Sequence, residues 1–303
     1  MKTKEFKTKN IYWLDVENPT KEKIEELAKK YNLYRLDTED CQIPTQKPKL
    51  VEHNGYLFLI VKYPLHLIKE KETESLELDI FADKDFLLTF HSGKIPFYNT
   101  FLKNITKEQI SQKYPTVGSL LYIILRKLYV SYFPLLEDLS NQIEKIERNI
   151  FRGKEKEMVK KIAITKRNIL DLRKIIMPQL EVMQRLEKRV NFFQPKEKMA
   201  NKLEDLTEKA NEAWTALENV TDTIQSLERT NNSLIQHKTN DIIIILTIFS
   251  VIMLPLTLIA SIYGMNLSWM PGMHSPHAFW IVSGIMIGIV VIMLGYFTRK
   301  KWI

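Results

Sequence analysis

The stretch that decides the fold runs from residue 242 to residue 298: IIIILTIFSVIMLPLTLIASIYGMNLSWMPGMHSPHAFWIVSGIMIGIVVIMLGYFT. It holds no Asp, Glu, Lys or Arg, whereas a globular chain is about a quarter charged. Within it, residues 242–262 carry only Thr247, Ser250, Thr257 and Ser261 as polar side chains, and residues 278–297 only Ser283. At about 1.5 Å per residue each segment reaches roughly 30 Å, the thickness of a bilayer core. Two membrane spans are therefore expected, 242–262 and 278–297.

Working outward, all 36 Asp and Glu lie at or before Asp241, and of the 44 Lys and Arg only Arg299, Lys300 and Lys301 lie beyond it. The net charge of +8 thus divides into +5 before the spans and +3 in the tail. The segment joining the spans, 263–277, has no basic residue, so the positive-inside rule puts both termini in the cytoplasm of a multi-pass plasma (inner) membrane protein. The first ten residues are Lys-rich without an apolar run, so no cleavable signal peptide is expected. The lone Cys41 excludes an internal disulfide and fits a reducing cytosolic side. Acidic residues interleaved throughout, with no nucleic-acid-binding signature, argue against a nucleic-acid partner.

Before the membrane the chain has two textures. Residues 1–114 mix short strand and helix signals: strands at 11–16, 56–63, 76–82 and 86–90, a hairpin at Asn54-Gly55, a turn at Asp83-Lys84-Asp85, and helices at 21–31 and 106–113. This reads as a small α+β cytoplasmic domain. Residues 115–195 read as a cytoplasmic helical hairpin, with helices at 116–151 and 154–194 and a bend at Pro178. Residues 196–241 form a stalk helix that continues without Gly or Pro into the first span, as one helix over 197–262. Along it Leu203, Leu206, Ala210, Ala213, Leu217, Val220, Ile224, Leu227, Asn231 and Leu234 repeat at 3,4 spacing as a coiled-coil seam. Residues 298–303 are a basic cytoplasmic tail.

The four polar residues of the first span share one face. At about 100° per residue, Thr247, Ser250, Thr257 and Ser261 fall within an arc of about 80°, with Leu254 inside it. Continued backward, the stripe passes Ile243, Asn240, Ser233 and Ser226, away from the seam. An uncharged polar stripe running from stalk into bilayer suits a water-filled path enclosed by several copies of the helix. The plainer alternative is that these hydroxyls bond back to their own helix or pack on a partner helix. No P-loop, HExxH, GxSxG or CxxC is present, and the six His show no catalytic spacing before the membrane, so no enzyme is expected.

At the outer end of the first span the chain reads Tyr263-Gly264-Met265-Asn266. With Trp13-Leu14-Asp15, Glu39-Asp40, Lys238-Thr239-Asn240, Met253-Leu254-Pro255-Leu256-Thr257 and the terminal Lys300-Lys301-Trp302-Ile303, this resembles the CorA family of divalent-cation channels over nearly the whole length. The resemblance implies a funnel-shaped homopentamer in a lipid bilayer, with the first span lining the pore and the second outside. It implies influx of Mg²⁺, with Co²⁺ and Ni²⁺ as further cargoes, and a basic ring from Arg299, Lys300 and Lys301. Mg²⁺ gives up water reluctantly, so a filter of Gly264, Met265 and Asn266 would contact the hydrated ion through neutral oxygens. Gly264 is expected to free the helix end. Ile243, Leu246 and Leu254 are candidate apolar constrictions, and Asn240 and Thr257 polar rings.

The resemblance also implies regulatory Mg²⁺ bound between cytoplasmic domains by Glu39, Asp40 and Asp205. At the aligned positions of a further Asp and a His, this chain has Arg126 and Lys209, fixed positive charges expected to bridge subunits where relatives use metal. Met270-Pro271-Gly272 lacks the acidic residue many relatives carry. The loop holds His274 and His277 instead, which keeps a Zn²⁺ or other transition-metal transporter as the alternative. From a different class, the alternative is a membrane-anchored coiled-coil adaptor without flux.

Overall fold

The computed structural model describes residues 1–42, 47–53, 55–67, 72–91, 93, 95–193, 195–265, 276–300 and 302. These form two compact units, Met1–Glu228 and Arg229–Ile303.

The first unit begins with a six-stranded sheet. Its strands are β1 (Lys2–Lys7), β2 (Tyr12–Glu17), β3 (Lys49–Glu52), β4 (Leu57–Leu67), β5 (Glu72–Ala82) and β6 (Phe86–His91), in the order β1-β2-β6-β5-β4-β3. Only the β2–β6 pair is parallel. One face is covered by α1 (Lys21–Tyr31) and α2 (Arg35–Asp40), over a core of Leu14, Val16, Ile24, Leu27, Phe58, Ile60, Phe81, Leu88 and Phe90. Helix α1 lies where its pattern places it. Thr20 caps its start by accepting from the Lys23 N–H, and Asn32 ends it in the left-handed region at φ 50°. At the expected hairpin, Gly55 takes φ 119°, while Asn54 lies outside the described residues.

Strand β1 escapes the sequence pattern because it is a Lys-rich edge strand, KTKEFK, exposed along most of its length. Helices α2 and α3 (Pro96–Asn104) escape it because they are short. The expected 106–113 helix is α4 (Lys107–Lys113), with Thr106 and Gln109 closing a capping box. The expected 116–151 helix is two: α5 (Val117–Val130) and α6 (Phe133–Ile150). Pro134 causes the break, since its ring denies a hydrogen bond to the carbonyl of Val130, four residues back.

Helix α7 (Glu155–Glu187) ends earlier than expected, in a short 3₁₀ turn at Val190–Phe192. It continues through Pro178, where the buried Gln179 amide donates to the Ile175 carbonyl at 3.1 Å in the turn the proline disturbs.

The seam residues Leu203 to Leu227 are all buried. Their helix, α8 (Lys196–Tyr263), is tied to the unit by Arg173 over the Trp214 ring and by the Lys166–Glu228 ion pair at 2.6 Å. The seam therefore packs within this chain. The expected 3,4 pattern is right, and its neighbours include the chain's own helices.

The second unit contains the end of α8 and α9 (Ala278–Arg299). Among the described residues, three helical stretches are long and apolar enough to cross a membrane: Val117–Ile150, Lys196–Tyr263 and Ala278–Arg299. In the first, Leu120, Leu121, Ile124, Leu125 and Leu128 are buried in the protein core. In the other two, large apolar side chains face outward: Leu254 is 69% exposed, Trp280 72% and Ile292 73%.

Candidate functional site

The chemistry of the first span follows from which face of α8 is covered. Within the second unit Ile248 is buried, and Ile244, Ile252, Pro255, Leu256 and Ile259 are half-buried. Asn240, Ile243, Leu246, Thr247, Ser250, Leu254, Thr257 and Ser261 are all exposed. At 100° per residue the covered face and the polar stripe are centred about 150° apart. The stripe looks away from the face this chain covers.

The hydroxyls of Ser250 and Thr257 donate to the Leu246 and Met253 carbonyls, at 2.9 and 2.8 Å. This is the back-bonding of the plainer reading, but it also fixes polarity. Once its one hydrogen is used, a hydroxyl presents only acceptor lone pairs to its surroundings. Acceptors are what the outward-pointing hydrogens of a hydrated cation need.

Gly264 closes α8 through its N–H to the Ala260 carbonyl at 2.9 Å. It is not in the left-handed region, contrary to the usual reason for glycine at a helix end. The requirement is space: a Cβ here would stand 3.0 Å from the Ala260 carbonyl oxygen. Met265 continues the turn, its N–H bonding the Ile262 carbonyl at 3.2 Å. Asn266, His274 and Lys301 lie outside the described residues. Arg299 ends α9, and Lys300 caps it with an N–H to the Tyr296 carbonyl. Trp302 folds back on Phe297, with ring centroids 5.8 Å apart and stacked.

In the first unit the three carboxylates expected to bind regulatory metal each have a cationic partner in the same chain. Glu39 pairs with Arg35 at 2.7 Å and Asp40 with Lys49. Asp205 accepts from Tyr122 Oη at 2.8 Å and Arg126 Nε at 3.2 Å. Burial and then the bond to Asp205 push the Tyr122 phenol up to about 12. Arg126 therefore spends its charge on Asp205 within the chain, and Lys209 spends its own on Glu212 at 2.7 Å. Among the described residues no group of three or more His, Cys, Asp or Glu side chains is set to hold a metal. Tyr122 was not legible in advance, since its partner lies 83 residues away.

Trp13 and Asp15 have a structural explanation. The Trp13 Nε1 donates to Thr89 Oγ1, and Thr89 and Tyr98 donate to Asp15 Oδ1 at 2.7 and 2.8 Å. His91 lies 3.5 Å from the other Asp15 oxygen. Burial opposes the charging of His91, but Asp15 outweighs it and the imidazole titrates above its ordinary value.

A charged α+β unit followed by outward-facing apolar helices is the make-up of an integral membrane protein. The family model for CorA-like Mg²⁺ transporter protein matches residues 8–300, and the chain belongs to that family of divalent metal ion transporters. It is 29% identical over 280 residues to a cobalt/magnesium transport protein CorA of Thermotoga maritima, covering 92% of this chain and 80% of the relative. It is 28% identical over 292 residues to the putative metal ion transporter YfjQ of Bacillus subtilis, covering 96% and 89%. The complete structure of the CorA magnesium transporter from Methanocaldococcus jannaschii superposes with a TM-score of 0.82 at 27% identity, covering 98% of this chain and 93% of that one.

Proposed function

We propose that the chain assembles as a homopentamer that admits hydrated Mg²⁺, with Co²⁺ and Ni²⁺ as further cargoes. The α8 stripe from Asn240 to Ser261 lines the path, and α9 stands outside it. Gly264, Met265 and Asn266 form the selective mouth, and Arg299, Lys300 and Lys301 a basic ring on the cytoplasmic side, where both termini lie. One observation carries this reading: the uncharged polar face of α8 is exposed and lies opposite the face this chain covers. In a bilayer such a face needs water or another copy against it. The relatives named for magnesium and cobalt transport support the choice of ion.

For regulation, Asp40 and Asp205, with Glu39 alongside, bind Mg²⁺ between cytoplasmic units. Arg126 competes for Asp205, so intracellular Mg²⁺ closes this channel less steeply than it would without that guanidinium.

The test is uptake of Mg²⁺, Co²⁺, Ni²⁺ and Zn²⁺ into liposomes by the purified protein, with Asn266→Ala as control. Mg²⁺ uptake lost in Asn266→Ala supports the reading. A verified pentamer that admits none of the four ions overturns it in favour of a flux-free adaptor, and one that admits only Zn²⁺ overturns the choice of ion.

A further inference from the structure

Midway along β5, Glu77 and Asp79 alternate with apolar residues and fall on the same side of the sheet as Phe81, the side that α1 and α2 cover. Asp79 stands across from Ile60 and Phe90, and Glu77 across from Lys62. Both acids are buried, 6% and 5% exposed. Glu77 Oε2 and Asp79 Oδ1 have no hydrogen-bond partner, and the one cation paired with them is the Lys62 ammonium, 3.7 Å from Glu77 Oε2. Two neighbouring carboxyl groups in an apolar wall are costly unless something of opposite charge joins them. Burial pushes both upward, Asp79 strongly; the Glu77 carboxyl raises Asp79 further, while the Lys62 ammonium and Asp79 draw Glu77 part of the way back.

These two side chains line a cavity of about 440 Å³ between the start of α1 and the end of α2, with Asn18, Lys21, Cys41 and Gln42 around it. Six waters occupy roughly 180 Å³ at about 30 Å³ each, so a hexahydrated ion fits. Mg²⁺ typically uses one or two carboxylates and keeps its remaining waters. That agrees with the lack of any three-ligand cluster among the described residues.

We infer that Glu77 and Asp79 form a binding site for a hydrated divalent cation, Mg²⁺, within each cytoplasmic unit, separate from Glu39, Asp40 and Asp205. The choice of ion rests on the transport reading above; the site itself rests on the cavity and the two buried carboxylate oxygens in it that no hydrogen bond satisfies. The Asp40 carboxylate acts electrostatically on both acids, so occupancy here is felt at Asp40.

Mn²⁺ serves as the probe, its free concentration read by electron paramagnetic resonance on the full-length protein in detergent. Glu77→Gln with Asp79→Asn is expected to remove one Mn²⁺ per chain, whereas Asp40→Asn with Asp205→Asn retains it. Unchanged stoichiometry in the Glu77→Gln, Asp79→Asn protein overturns the site. Should that variant fail to fold, Lys21→Glu serves instead, because Lys21 is an exposed cation on the cavity wall. Reversing its charge is expected to tighten Mn²⁺ several-fold at low ionic strength, and unaltered affinity overturns the site. Binding is read without transport, so a protein that shows this site but no liposome flux refutes the transport reading alone.

Discussion

Phe81 and Phe249 are the same side chain in opposite circumstances. Phe81 is fully buried on β5, while Phe249 is 62% exposed on α8. In the first unit the sheet and helices supply the apolar environment, and charge covers the outside. In the second unit the apolar side chains point away from the protein, and the surface it hides is narrow. The two units are built from similar residues for different solvents, and substitutions should separate them.

The largest difference is expected for charge. Ile248→Arg places a guanidinium on the buried face of α8, where a charge at membrane depth costs about 2.5–3.5 kcal/mol or more, and should abolish accumulation of folded protein in the membrane. Thr257→Arg places it on the exposed stripe. That protein should insert and assemble, yet lose flux by roughly a hundredfold, as removing about 2.7 kcal/mol of favourable passage would. Equal expression and equal flux in the two variants would erase the distinction between the faces.

Truncation should distinguish the units next. Phe81→Ala is expected to destabilise the first unit by about 3–5 kcal/mol, read as a lower thermal midpoint. Phe249→Ala should move that midpoint little, because lipid fills the space. Gly264→Ala should have an intermediate functional effect, a several-fold loss of flux, since its Cβ must push on the Ala260 carbonyl at 3.0 Å.

The smallest effect concerns pH. His91 titrates above its ordinary value of 6.5 because of Asp15. Its charged form therefore stabilises the first unit fully below that value, and the contribution is lost as pH rises through the folded pKa. The thermal midpoint should fall by roughly 3 °C between acidic and alkaline buffer, and His91→Gln should flatten that slope.

The two long apolar helices, the unbroken length of α8 and the exposure of its polar stripe were legible because helical periodicity and missing charge are properties of neighbouring residues. The strand core was legible for the same reason from Tyr56 to Phe90. What escaped depends on partners distant in sequence or on unremarkable composition. Strand β1 reads as a charged tail, and the break at Ser131–Tyr132 hinges on a single proline. The Tyr122–Asp205–Arg126 contact joins helices about 80 residues apart. The tight approach of Gly264 to the Ala260 carbonyl has no sequence signature, because it depends on how the last turn of α8 closes. Glu77 and Asp79 alternate with Leu76, Leu78 and Ile80 in a strand that begins with two further acids, and only the fold shows this pair to be walled in.

In the proposed assembly the face of α8 bearing Thr247, Ser250, Leu254, Thr257 and Ser261 borders water. The most direct measurement is single cysteine substitution from residue 243 to residue 262 in a Cys41→Ser background, with a charged, membrane-impermeant thiol reagent applied to the assembled protein in liposomes. Reaction is expected at 247, 250, 254, 257 and 261, slowed by Mg²⁺, and none at 244, 248, 252, 256 or 259. Reaction centred on the Ile248 face, or none at any position, would contradict it.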